Sequence, residues 1–348
     1  MMNLKRPGFY FIATLLLCAS ALAGCGGTQT PLNPAADQAA RISREWWIFL
    51  VVLGGVWGLV MAALLAASFR RPLDTANEPA IPLPVPLRSG REFWITVGVS
   101  GAVTMTVIIL LVLLFGDFMV NREASSPAPA DAMTIQLVGH QWWWEARYEN
   151  DDPSKIVTAA NELHIPTGRA VNFELSSVDV IHSFWVPNLS GKKDLIPGHP
   201  TSTWFIATKP GTYRGLCAEF CGAQHAHMRL TITAEPPEKF DAWIAAQRQP
   251  PPEPQNDAQK RGQQVFLGST CVMCHTIRGT PARATVGPDL THLASREWLA
   301  AGTVPNARGW LGGWILDPQT LKPGARMPQH HFNGEELTAL LDYLETLK

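Results

Sequence analysis

Charge is scarce in this chain. Asp, Glu, Lys and Arg make up 16% of its 348 residues, against about 25% in ordinary soluble domains. The scarcity is not that of a disordered chain, because 46% of the residues are hydrophobic. A basic excess is missing too, since 28 Lys and Arg stand against 29 Asp and Glu. Nucleic-acid binding therefore has no electrostatic footprint here. Cysteine, at six residues, is too sparse for a disulfide scaffold. Tyrosine, at four, is outnumbered by thirteen tryptophans, several of them placed where a membrane interface favours them. The length suggests two or three units, and the composition suggests folded modules tethered to a bilayer. No internal repeat is found.

Lys5 and Arg6 precede an apolar run from Phe9 to Ala23, the pattern of a secretory signal. The run closes on Leu22-Ala23-Gly24-Cys25, which resembles the bacterial lipoprotein box. Residues 1–24 are expected to be a signal peptide and Cys25 the lipidated first residue, with ordinary cleavage beside an unmodified Cys25 as the alternative. Residues 25–45 then form an N-terminal periplasmic linker. Trp46–Phe69 and Phe93–Gly116 contain no charge and span 24 residues each, long enough to cross about 30 Å of hydrocarbon. The intervening residues 70–92 carry Arg70, Arg71, Arg88 and Arg91, which mark a cytoplasmic loop. This predicts a multi-pass protein of the bacterial plasma (inner) membrane with everything after about Asn121 on the periplasmic side.

Beyond a polar linker the period changes. Met133–Val138, Ala170–Leu175, Thr203–Thr208 and Leu230–Thr233 are short alternating or β-branched runs separated by turn signals such as Pro197-Gly198 and Pro210-Gly211. An all-β sandwich or barrel is expected over residues 131–235. Residues 236–256 combine a short helix-like stretch, Glu238–Gln247, with the semi-rigid spacer Gln249-Pro-Pro-Pro-Glu-Pro254. Residues 257–348 read as helical, with no return of strand-like alternation.

Two motifs carry chemistry. Cys217, Cys221, His225 and Met228 lie in one loop. Thiolate, imidazole and thioether form a soft donor set suited to copper rather than magnesium or calcium. A Cys217–Cys221 disulfide would leave His225 and Met228 unexplained, and a thioether is not a usual zinc ligand. A one-copper site would leave a cysteine over, whereas two bridging thiolates would hold two ions. The loop Cys217–Met228, together with Asp179-Val-Ile-His182 and the aromatic segment Gly139–Glu145, resembles the CuA domain of cytochrome c oxidase subunit II. The resemblance covers about residues 42–247, including a two-span hairpin ahead of the β-domain. It implies a cupredoxin fold in which Cys217 and Cys221 bridge two coppers and His182 and His225 each bind one. Met228 and the Glu219 carbonyl would be weak ligands. The resemblance further implies that the Glu219 side chain faces a magnesium site shared with subunit I, and that Trp142 is the point of electron entry. His227, two residues from His225, is the rival histidine.

Cys271-Val-Met-Cys274-His275 is a C-x-x-C-H motif for covalent haem c, with thioethers at Cys271 and Cys274 and iron bound by His275. Met327, in Lys322-Pro-Gly-Ala-Arg-Met-Pro328, resembles the distal ligand of class I cytochromes c; His330 and His331 are its rivals. Asn333-Gly-Glu-Glu336 reads as a capping box, and Leu337, Leu340, Leu341, Leu344 and Leu347 form one core stripe. Gly262 and Phe266 are expected to meet Tyr343 and Leu344.

Joined by a spacer, the two modules resemble the subunit II of caa-type oxidases. The resemblance implies electron transfer from haem c to CuA and on to a separate subunit I, where oxygen is reduced and protons are translocated. Subunit III, a bc-type complex or soluble cytochrome c, and membrane lipid are the other expected partners. The chain itself supplies no catalytic residue for oxygen reduction. The spacer is expected to hold the haem module near the copper module through a small, transient contact at Trp142. Two alternatives stay open: the electron-entry subunit of a nitric oxide reductase, and a non-enzymatic exported copper and haem lipoprotein.

Overall fold

The computed structural model describes residues 29–69 and 89–348. The expectations for the signal peptide, for Cys25 and for residues 70–88 of the cytoplasmic loop lie outside these. The described residues divide into two compact units, one within residues 41–126 and one of residues 29–40 with 127–348.

The first unit holds most of two long helices, α1 (Asp37–Ser68), whose opening turn belongs to the second unit, and α2 (Ser89–Ala124), and their mean hydropathy reaches 2.6 and 2.5. Both are long and apolar enough to cross a membrane, and Leu59, Val112 and Phe115 on them are exposed, as suits side chains that face hydrocarbon. Each helix overruns its charge-free stretch. Arg41, Arg44 and Glu45 are good helix formers, so the helix continues through them where hydropathy alone stops.

In the second unit, ten strands make two five-stranded sheets. The first has the order β3 (Val157–Ala160), β2 (Trp143–Tyr148), β1 (Met133–His140), β5 (Ala170–Ser177), β8 (Thr201–Ile206). The second runs β4 (Glu162–Pro166), β10 (Arg229–Glu235), β9 (Gly211–Cys217), β6 (His182–Trp185), β7 (Lys193–Leu195). Alternation places Ile135, Leu137, Phe173 and Leu175 of one sheet and Leu163, Ile165, Phe184 and Ile232 of the other in one buried core. Phe173 meets Phe184 with ring centroids 5.0 Å apart. The N-terminal segment joins this core. Ala35 and Ala36 are buried in it, Ala36 bridges Ala207, and Asp37 accepts a hydrogen bond from the Ile206 amide at 2.8 Å. Residues 25–45 were expected to be only a linker; alanines gave no apolar signal strong enough to mark this contact. Helix α3 (Pro237–Gln247) falls where expected. Its Phe240 is buried, and its Trp243 stacks on His164 at 4.3 Å.

The C-terminal part is helical, built on α4 (Asp257–Gly268), α5 (Arg308–Leu316), α6 (Pro318–Leu321) and α7 (Gly334–Leu344). It also contains a ladder the sequence reading excluded, β11 (Trp298–Leu299) against β12 (Val304–Pro305). Two-residue strands are too short to show a period. The expected capping box forms, with Asn333 accepting from the Glu336 amide and Glu336 from the Asn333 amide. Leu340, Leu341, Leu344 and Leu347 are buried, and Leu337 packs beside them. Helices α4 and α7 touch at Gly262, where a Cβ would lie 1.9 Å from the Ala339 carbonyl oxygen and 2.7 Å from the Tyr343 Cβ. Only glycine fits.

Candidate metal and haem sites

The copper-loop donors converge at one end of the second sheet. Cys217 ends β9, His182 begins β6, His225 lies in a one-turn 3-10 helix and Met228 directly precedes β10. Strand pairing sets the distances, because Phe184 opposes Cys217 and the Cys217 amide donates to the Met228 carbonyl at 3.0 Å. The two sulfurs are 3.8 Å apart and form no disulfide. Nδ1 of His182 faces the Cys217 sulfur at 3.9 Å, and Nδ1 of His225 faces the Cys221 sulfur at 3.6 Å. The Met228 sulfur lies 3.9 Å from Cys221, and the Glu219 carbonyl oxygen 3.1 Å from Cys217. His182, Cys217, Cys221 and Met228 are buried. His227 is exposed, and its Nδ1 bonds the Gln224 side chain at 2.7 Å, apart from the cluster.

The electrostatics suit a cation. The hydrogen bond with Cys221 and then that with His182 overcome burial and hold the Cys217 thiol down at about 3. The same partner and burial push Cys221 far up. One thiolate and one thiol share the pair's proton. Burial disfavours the His182 imidazolium, but contacts with Cys217 and Asp179 raise it above its ordinary value. Asp179 is the orienting group that sequence reading quoted without giving it a role. Its carboxylate bonds His182 Nε2 at 2.9 Å and accepts from the amides of Gln141 at 2.7 Å and Val180 at 2.8 Å. Binding Nε2 leaves Nδ1 aimed at the sulfurs, the usual device for fixing a ligating imidazole. An acid three residues before a histidine was the available signal. Gly139 leaves the room: a Cβ there would lie 2.7 Å from His182 Cδ2.

The second site is a cavity of ≈ 470 Å³ in the helical part, within the range of cofactor pockets, about 300–1,000 Å³. Cys271, Cys274, His275 and Met327 all line it, with Phe266, Leu299, Leu340 and Leu344 as apolar wall. His275 Nδ1 donates to the Pro288 carbonyl at 2.7 Å, which leaves Nε2 as its free nitrogen. Burial lowers the His275 pKa and keeps the ring neutral. Gly287 permits the approach, since a Cβ there would lie 2.7 Å from His275 Cε1. His330 also lines the cavity, but its Nδ1 is 3.4 Å from the Thr270 hydroxyl and its ring stacks on Phe332. His331 is not among the lining residues.

The cavity is bounded on another side by the β-domain, through Trp142 and Trp143. The two modules are packed together. Glu162 accepts from the amides of Glu297 and Trp298 at 3.0 and 2.8 Å, Gln224 Nε2 donates to Pro323 O at 2.8 Å, and Arg326 lies 3.4 Å from Asp179. The contact expected at Trp142 is therefore accompanied by hydrogen bonds at Glu162 and Gln224 and an ion pair at Arg326. Composition reports a spacer's stiffness, not the surfaces it brings together.

Comparison with known proteins identifies both modules. A family model described as cytochrome C oxidase subunit II, periplasmic domain, matches residues 150–235, and one described as cytochrome c matches residues 259–348. Cytochrome c oxidase subunit 2 of Alkalihalophilus pseudofirmus is 35% identical over 333 residues, covering 94% of each chain. The protein of the same description from Bacillus subtilis is 26% identical over 363 residues, covering 97% of each. The crystal structure of the periplasmic domain of subunit II of cytochrome oxidase from Bradyrhizobium japonicum covers 36% of this chain and 96% of that one, at 28% identity and a TM-score of 0.32. With identity of 35% sustained across 94% of both chains, the chain belongs to the cytochrome c oxidase subunit 2 family and carries a cytochrome c domain at its C-terminal end.

Proposed function

We infer that this subunit is the electron-entry arm of a haem-copper oxidase, receiving electrons on a haem c and delivering them through a binuclear copper centre to subunit I. The observation that carries the reading is that both donor sets are complete and share Trp142 as a neighbour. Trp142 lines the haem cavity, and its indole donates to the carbonyl of Cys221 at 3.0 Å. When bound, the copper pair and the haem supply successive one-electron carriers between an outside donor and the oxygen-reducing subunit.

The chain's own residues set the conditions. Cys217, Cys221, His182 and His225 would hold the copper pair, with Met228 and the Glu219 carbonyl as weaker donors. The set fits copper because it is soft, buried and free of disulfide. Asp179 holds the His182 ring in place. Cys271 and Cys274 would anchor the haem, and His275 and Met327 would hold its iron. The apolar wall of the cavity excludes water and favours the reduced, less charged haem. The Glu219 carboxylate has no hydrogen-bonding or ionic partner among the described residues, which leaves it available for a magnesium ion at the subunit I boundary.

The purified oxidase should contain two coppers and one haem c for each copy of this chain. Met327→Ala should remove the sulfur-to-iron charge-transfer band in the far red while the haem stays covalently attached. Survival of that band in Met327→Ala, with its loss in a His330 variant, would move the ligand to His330. His227→Ala should leave the copper electron paramagnetic resonance signal and copper content unchanged, because its ring faces Gln224. Loss of that signal would mean the wrong histidine had been assigned.

A further inference from the structure

Trp142 is gripped from both modules. On the copper side, Gly222 has φ 112°, and a Cβ there would lie 3.1 Å from the indole Cζ2. On the haem side, Gly324 has φ 86°, and a Cβ there would lie 3.4 Å from Cη2. Gly324 stands three residues before Met327, so the indole touches the copper loop and the haem loop at once.

One side chain holds the second contact. The Lys322 Nζ donates to the carbonyl oxygens of Trp142, His227 and Ala300, each at 2.8 Å. These oxygens come from the entry tryptophan, the copper loop and the haem module's own turn. Lys322 is only 3% exposed, and among the described residues no carboxylate lies within ion-pair distance of it. Burial pulls the Lys322 amine down to about 7, and three carbonyl dipoles facing its three N–H bonds are the arrangement that holds an ammonium there without a counter-ion. The turn it reaches is itself constrained. Ala300 and Ala301 have φ 51° and 57°, left-handed values that alanine rarely adopts. The Arg229 amide of the β-domain donates to the Ala301 carbonyl at 3.1 Å. Three carbonyls around one ammonium define a point, not a sliding surface.

Resting on the haem and copper reading above, we propose that Lys322 is a positioning residue for electron transfer. Its ammonium clamps the Met327 loop onto Trp142 and the copper loop, so that the haem module works from one fixed pose instead of by repeated encounter. The spacer then serves to deliver the module once, during assembly.

The test uses the assembled oxidase with full-length chain, in which a protease site is placed within residues 249–254. In the unmodified complex, flash-initiated haem reoxidation should be first order and independent of glycerol viscosity, before and after cutting, and the cut haem module should co-elute. Lys322→Met and Lys322→Gln should slow that transfer by about tenfold or more, the scale of lost hydrogen bonds to a charged group. They should make it viscosity-dependent and let the cut module dissociate on dilution. Haem absorption and the copper resonance should stay unchanged in both. A viscosity-dependent rate in the unmodified complex, or wild-type transfer and co-elution in both variants, would overturn the clamp. If a variant loses either spectrum, the viscosity arm on the unmodified complex still decides. Absence of either spectrum from the unmodified complex would count against the cofactor reading, and the clamp would fall with it.

Discussion

Cys217→Ser is expected to abolish the mixed-valence resonance of a two-copper centre and to leave the rest of the chain folded. Serine fills nearly the same volume at a position that is 1% exposed at the end of β9, so the strand and its pairing with Phe184 are retained. The chemistry is not. The Cys217 thiol is held down at about 3 by Cys221 and His182, ready to act as a thiolate, whereas a hydroxyl stays protonated and is a hard donor. The sulfur is also the common neighbour of the site, 3.8 Å from Cys221, 3.9 Å from His182 Nδ1 and 3.1 Å from the Glu219 carbonyl. If Cys217 serves both coppers as proposed, removing its sulfur takes a ligand from each. Copper content, resonance at low temperature and haem absorbance together check the result. An unaltered two-copper signal would show that Cys217 is no bridge.

Gly262→Ala should be the most damaging single methyl in the haem module. The new Cβ would sit 1.9 Å from the Ala339 carbonyl oxygen and 2.6 Å from its carbon, both backbone atoms that cannot swing away as a side chain would. Helix α4 must move from α7 by more than an ångström. Phe266 on α4 and Leu340 and Leu344 on α7 wall the haem cavity, so the shift opens the pocket as well as the core. Overpacking of this kind costs about 3 kcal/mol or more, which in a domain of this size lowers the melting temperature by roughly 12 °C or more. Thermal melting followed by haem absorbance measures it, with the copper resonance as internal control. An unchanged melting temperature would mean that the close helix crossing does not form.

How far the sequence could be read depended on how local each signal was. The copper loop was legible because Cys217, Cys221, His225 and Met228 lie within one turn-rich segment, and the haem motif because its three residues are nearly contiguous. The capping box at Asn333 and the leucine stripe of α7 followed from helical spacing alone. Strand β7, with three residues, carries no period, and β2 was seen only as an aromatic cluster. Lys322 was quoted as part of the segment around Met327 and given no role, because its partner Trp142 is 180 positions away. Nothing in Lys-Pro-Gly says which carbonyls the ammonium will meet. The same holds for Asp179, whose partner Gln141 is 38 positions away.

The pair of glycines on either side of Trp142 has a consequence for heredity. Gly222 belongs to one module and Gly324 to the other, yet both are shaped to the same ring. A side chain added at either position would therefore act on the one indole. A haem module transplanted from a relative with a side chain at position 324 would bring that side chain into contact with the indole, at a φ of 86° that side chains rarely adopt.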